Sequence, residues 1–430
     1  MKFSHTRKLE VWRTLSNGSK CLVGLLAQNR QGIYFQYSEE YLSKHHNISP
    51  FSLSFNNSLQ LADRTIHGGL HGVFSDSLPD SWGMLLMDRV FRKEGILPSQ
   101  ITLMDRLAFI GNNAMGALSF YPESFADIKV SDPHISIADL GCKAQEIFDG
   151  RTEEVLAALL NAGSPGGARP KANIYLKNND HNICSTTYEQ NSIPYLVKFT
   201  SKNLPLQHEE GLCEAAYLTM AAKAGIDVPK WKLLGSSVAS SEMHWLALER
   251  FDLNIASNNS VGRYHIHSAC GLLDADYRAP SLDYEDLIKA SSILCKSPAT
   301  GQRQFCRAIF NLFACNQDDH SKNWAFIQND NGKWTLAPFF DVTFNPSPYG
   351  EHATAFSGYG KEPPLKTIQK LAEAANFASW KQAQTAIKEI VDAIHNLDGI
   401  ASGLGVSKET LKLISKQLDN TYKENRKLLS

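Results

Sequence analysis

The chain has 430 residues, enough for two or three domain-sized units, and its 43% hydrophobic and 20% charged residues are those of an ordinary globular protein rather than a disordered or fibrous one. Formal net charge is -1 and the pI is about 6.9, so there is no overall electrostatic footprint for non-specific nucleic-acid binding. The eight cysteines are scattered with no C-x-x-C pair, which argues against a disulfide framework or a zinc site. The N-terminus lacks the apolar core of a signal peptide, and no uncharged apolar run approaches the length of a membrane span, so the expectation is a soluble, cytoplasmic protein.

In chain order, the first fifty residues read as a small antiparallel meander: LEVW, a turn at Asn17-Gly18, CLVGLLAQ and GIYFQY. The stretch FSDSLPDSWGMLLMDRVFRKEG predicts a helix capped by Asp80 or Ser81 and stopped at Gly95. A further helix and a turn, MDRLAFIGNNAMGALSFYP, lead to Pro122. This segment carries no cofactor signature, and its expected role is packing or partner contact.

Two helical runs, ISIADLGCKAQEIF and TEEVLAALLNAG, then deliver the chain to GSPGGARPKANIYL. A glycine-rich loop before an apolar strand lets backbone N–H groups approach anionic oxygens, and Gly166, Gly167, Ala168 and Lys171 are the candidate contacts, with Arg169 adding charge. The G-x-x-x-x-G-K-[ST] pattern of a P-loop is not met. After a hairpin over Asn178-Asn179-Asp180, the strand YLVKFT places Lys198 in an apolar setting where its charge needs a partner. Glu214 follows sixteen residues later in the helical run GLCEAAYLTMAAKAG. A strand lysine held by a helix glutamate is how kinases grip nucleotide phosphates; the bland alternative is a snorkelling lysine and an unrelated acid. The strand HWLALERFD opens into a polar connector at Glu249 to Asp252, similar to the hinge between two lobes.

From about Asp283 the pattern is mostly helical, and the last, highly charged helix reads as a solvated face. Within this part, a buried helix over Arg303 to Gln317 empties into NQDDHSKN, residues 316–323. Asp318 and Asn323 have the D-x-x-x-x-N spacing at which a kinase holds a base and a magnesium-binding amide. After a hairpin turning at Asp330, Asn331 and Gly332, a strand is expected to carry the chain to a second acid, Asp341. Each part alone is weak, but their order and separations together argue for phosphoryl transfer, in which positioning and charge neutralisation matter more than covalent steps.

These motifs, FSDSLPDSWG, GNNAMGALSF, SPGGARPKA, LVKF, LALERFD, NQDDHSKNWAF and LAPFFD, resemble in order and over nearly the full length the HipA family of serine/threonine kinases, the toxin half of HipA/HipB pairs. The resemblance implies an α+β, two-lobed protein-kinase-like fold, with an N-terminal antiparallel β/α module (1–125), a kinase N-lobe with the glycine loop (126–252) and a helical C-lobe with the catalytic loop (253–430). It implies ATP and Mg²⁺ as cofactors, Asp318 as base, His320 as support of its loop, Asn323 and Asp341 as metal ligands, Lys198 on the phosphates, and Glu249 and Phe251 at the adenine. It further implies autophosphorylation at Ser164 as an off-switch, since a dianion there would repel the nucleotide. Expected partners are a HipB-like helix-turn-helix antitoxin, DNA only through that antitoxin, and a protein substrate such as a translation-related enzyme. Asp319 beside Asp318 is an extra acid able to perturb its pKa, but the spacing to Asn323 and His320 favours Asp318 as the carboxylate that faces the hydroxyl. The competing readings are a phosphoesterase built on Asp318-Asp319-His320 and a degenerate kinase fold acting as co-repressor or scaffold.

Overall fold

The computed structural model describes residues 4–124, 132–155, 157–161, 166–177, 180–238, 241–255 and 259–430. The meander forms as expected: β1 (Lys8–Thr14), β2 (Lys20–Gln28) and β3 (Ile33–Tyr37) pair antiparallel, with β4 (Gln60–Leu61) and β5 (Leu118–Tyr121) on the two edges in the order β4-β3-β2-β1-β5. Alternation in β1 buries Leu9 and Val11 in a core shared with Phe35, Phe74 and Phe120. Gly18 takes a φ of +87° in the first hairpin, a conformation that L side chains rarely adopt.

The helix Ser81–Lys93 feeds two cores: Met87 and Phe91 pack under the first sheet, while Trp82 and Leu86 pack under the second. That second sheet runs in the order β10-β11-β9-β7-β8-β6, from β6 (His134–Ser136), β7 (Lys171–Lys177), β8 (Asp180–Ser185), β9 (Ser192–Lys198), β10 (Trp231–Val238) and β11 (Ser241–Glu249). Its central strands β7 and β9 are buried along nearly their whole length because one face is covered by helix Ile137–Phe148 and the other by helix Glu210–Lys223. Of the run TEEVLAALLNAG, the described helix covers Ala157–Asn161.

The third and largest core gathers helices Tyr284–Cys295, Pro298–Ala314, Leu365–Ala374, Trp380–Ile394 and Lys408–Asn425. The last of these corrects an expectation. Lys408–Asn425 is not merely a solvated face, because Leu411, Ile414 and Leu418 recur at helical spacing and are buried against the bundle.

Candidate active site

The register of the second sheet sets the site. Lys171, the first residue of β7, pairs directly with Lys198, the last of β9, putting two ammonium groups on one face at one end of the sheet's central strands. Like charges at opposed positions are unfavourable unless acids intervene. Two acids do so: Lys198 Nζ lies 2.6 Å from Glu214 Oε1, on the helix covering the sheet, and 2.6 Å from Asp341 Oδ1, in the helical lobe. Burial would lower Lys198, but Asp341 and Glu214 outweigh it and raise the ammonium above its ordinary value. Burial would also raise Asp341, yet Lys198 and Lys171 hold its carboxyl well below the usual carboxylate range. Glu214 shifts the other way, upward, because desolvation there exceeds the pull of Lys198.

Asp341 does not end a strand, as the pattern suggested. The strand stops at Leu336, and Asp341 sits in a turn with a φ of +57°, which aims its side chain back across the cleft to Lys198. A non-glycine residue there is held by its surroundings, and here the ion pair is part of them.

The polar turn is built by helix Pro298–Ala314, which ends with Cys315 in the left-handed region. Residues 315–317 then zip to Asn345: Asn345 N–H donates to Cys315 O, and Gln317 N–H to Asn345 O at 3.0 Å. This fixes the two adjacent acids in opposite environments. Asp319 is fully buried and accepts hydrogen bonds from the Tyr284 hydroxyl, from His352 Nδ1 at 2.9 Å and from Thr354 N–H at 3.1 Å. Asp318 keeps its side chain 57% exposed, with Oδ2 accepting from Asn345 Nδ2 at 3.2 Å. Of the two acids, Asp318 is therefore the one that faces solvent. Partial desolvation raises its pKa, with the charge of Asp341 adding to it and His320 opposing. Asp318 and Ala168 stand outside the cleft wall, whereas Gly166, Gly167, Lys171, Lys198, Glu249, Phe251, His320, Asn323 and Asp341 form part of it. Ser164 lies outside the described residues.

The residues fit a nucleotide and a hard cation. Asn323 donates its amide N–H to the carbonyl of Asp318 at 2.8 Å, and Asp341 Oδ1 accepts from Lys198 Nζ. What they leave for the cleft is an amide oxygen and a carboxylate oxygen, the donor type that Mg²⁺ takes together with phosphate. The opposite end of the cleft is apolar, with Leu196, Leu248, and Phe251 against Phe340 at 5.9 Å, beside the Glu249 to Phe251 backbone. Among the cations, Lys171 is lowered to about 8 by burial, and its Nζ donates to Gly166 O at 2.7 Å. Arg169 pairs with Glu210 at 3.0 Å.

Part of the wall was not foreseen. Asp76, Ser77, Leu78 and Asp80 of the N-terminal module line the cleft, so that segment does more than pack. Asp80 sits at the predicted cap position but makes no side-chain cap bond. It pairs instead with Lys322 and accepts Gly167 N–H at 2.9 Å. Only the recurrence of Asp around Leu78-Pro79 hinted at this, and local pattern assigns such acids to caps and turns.

A sheet lobe and a helical lobe joined at Glu249 to Asp252, with charged groups converging between them, define a two-lobed kinase-like α+β fold. The HipA-like C-terminal domain matches residues 163–397, more than half of the chain, and the HipA N-terminal domain matches residues 18–121. The chain belongs to the HipA family. A serine/threonine-protein kinase toxin HipA of Shewanella oneidensis is 24% identical over 263 residues, a match spanning 54% of this chain and 54% of that protein. A putative kinase of Sinorhizobium fredii is 25% identical over 341 residues, 75% of this chain and 74% of that one. The solved Shewanella oneidensis HipA, from a complex with HipB and operator DNA, superposes with a TM-score of 0.68 over 96% of both chains at 15% identity.

Proposed function

We propose that the chain is an ATP-dependent protein kinase of the toxin type, transferring the γ-phosphoryl group to a serine or threonine hydroxyl. The observation that carries this reading is the bridge Glu214, Lys198, Asp341, which joins a sheet cation to acids of two other elements at the mouth of a cleft with a glycine loop. Bound ATP with Mg²⁺ would supply the phosphoryl group and neutralise its developing charge. The chain's own residues do the rest. Lys198 and Lys171 meet phosphate oxygens, Asn323 and Asp341 offer oxygens to the cation, and the Glu249 to Phe251 connector faces the base beside Phe340. Asp318, with one oxygen held by Asn345, orients the substrate hydroxyl and accepts its proton. The triplet needed for a phosphoesterase does not converge, because Asp319 turns into the core while Asp318 turns out.

We infer a HipB-like antitoxin as partner, by likeness to the Shewanella assembly of HipA, HipB and operator DNA, with DNA reached through that antitoxin; the protein substrate is part of the kinase reading alone. Autophosphorylation at Ser164 is part of the reading. Incubation with γ-labelled ATP and Mg²⁺, followed by mass spectrometry, tests it. Label on Ser164 that vanishes in Asp318→Ala is the expected result. Free phosphate without protein labelling would instead indicate a hydrolase, and label persisting in Asp318→Ala would remove that residue from its role.

A further inference from the structure

The first turn of helix Ser81–Lys93 grips the glycine loop through several bonds. Asp80 Oδ2 accepts Gly167 N–H at 2.9 Å, the Trp82 backbone N–H donates to Gly167 O at 3.3 Å, and the Trp82 indole N–H donates to Lys171 O at 2.9 Å. The loop is pressed onto the carboxylate: a β-carbon at Gly166 would stand 2.7 Å from Asp80 Oδ2. The other oxygen, Oδ1, pairs with Lys322, the neighbour of Asn323. Lys322 is itself fixed from a second side, its ammonium lying 4.4 Å over the Tyr277 ring. A carboxylate facing a phosphate site would ordinarily repel the ligand, but its pairing with Lys322 offsets that charge.

We propose that Asp80 is a positioning residue for nucleotide, seating the glycine loop and locking it to the loop that carries Asn323. This rests on the kinase reading. Asp80 holds the backbone at Gly166 and Gly167 down over the cleft and fixes the Lys322 ammonium in the cleft wall, so the phosphates meet a preformed surface. The acid comes from the N-terminal module, which makes that module a structural part of the phosphate site.

The test uses the full chain as wild type, Asp80→Ala, the near-isosteric Asp80→Asn, and Trp82→Phe, which removes the indole N–H but keeps an aromatic ring. Hydrogen exchange of residues 166–171 is followed without nucleotide, and KM for ATP and kcat with Mg²⁺ are measured alongside. The expectation is faster loop exchange in all three variants. In Asp80→Ala, KM should rise about tenfold or more while kcat stays within about threefold, as loss of a charge-assisted bond used for binding requires. Asp80→Asn, whose amide oxygen still accepts Gly167 N–H, should fall between. Unchanged exchange, faster exchange with unchanged KM, or tighter ATP binding in Asp80→Ala would each overturn the proposal. A wild-type chain that binds no nucleotide would overturn the kinase reading and the nucleotide role together, and exchange in the nucleotide-free protein distinguishes that failure from a failure of the seat itself.

Discussion

Lys171 is buried beside Lys198, and burial brings its ammonium down to about 8, inside the range where enzymes are assayed. Below that pH the charge is present to meet phosphate, and above it the charge is lost, so ATP affinity should fall as pH rises from 7 to 9.5. Calorimetric titration across that range should show the fall, and Lys171→Arg, charged throughout, should flatten it. Lys198 differs because its acids raise it, and its charge persists. Removing it in Lys198→Met strands Glu214 and Asp341 without their cation, a loss of about 3–5 kcal/mol by the usual cost of breaking a buried pair. Urea unfolding should report that loss together with abolished labelling. A variant of unchanged stability would mean the bridge does not form in solution.

Helix Lys408–Asn425 carries charges on most of its surface yet places Leu411, Ile414 and Leu418 along one buried line. Ile414→Ala should therefore destabilise by about 2–5 kcal/mol, the cost of a core cavity. A solvated helix would show less than about 0.5 kcal/mol in the same denaturation experiment. The turn 316–323 is an element of another kind, rigid because its neighbours hold it. Asn345 grips its entry by backbone and Asp318 by side chain, while Tyr284, His352 and Thr354 hold Asp319. One acid is spent on the loop's shape, while the adjacent one faces solvent.

Across the whole molecule, the N-terminal module is fastened to the helical lobe by polar contacts, those of Asp76 at the cleft wall. Asp76 accepts from His267 Nδ1 at 2.6 Å and from Ser268 N–H at 2.7 Å, and Arg13 donates to Gln328 Oε1 at 2.9 Å. Beside Asp76 the backbones at Gly72 and Gly271 meet so closely that a β-carbon on Gly72 would run into the carbonyl of Gly271. Gly72→Ala should force the two units apart, lowering the unfolding midpoint and weakening ATP binding together, because the displaced module carries Asp80. Differential scanning and nucleotide titration of the one variant check both, and a loss of stability with intact affinity would separate the docking from the site.

The amino-acid order by itself determined the meander and the helical lobe, and it singled out Lys198, Glu214 and Asp341, which the structure brings together, because local periodicity and motif spacing are properties of neighbours in sequence. Burial of the last helix was missed because dense charge obscured a one-sided apolar line. Spacing to Asn323 and His320 favours Asp318 over Asp319, but the physical difference between the two adjacent acids comes from what distant segments bring to each. Asp80 was legible as a cap and became a clamp. Its partners Gly167 and Lys322 lie 87 and 242 residues away, and only the tertiary structure sets the direction of a side chain relative to groups so remote in the chain.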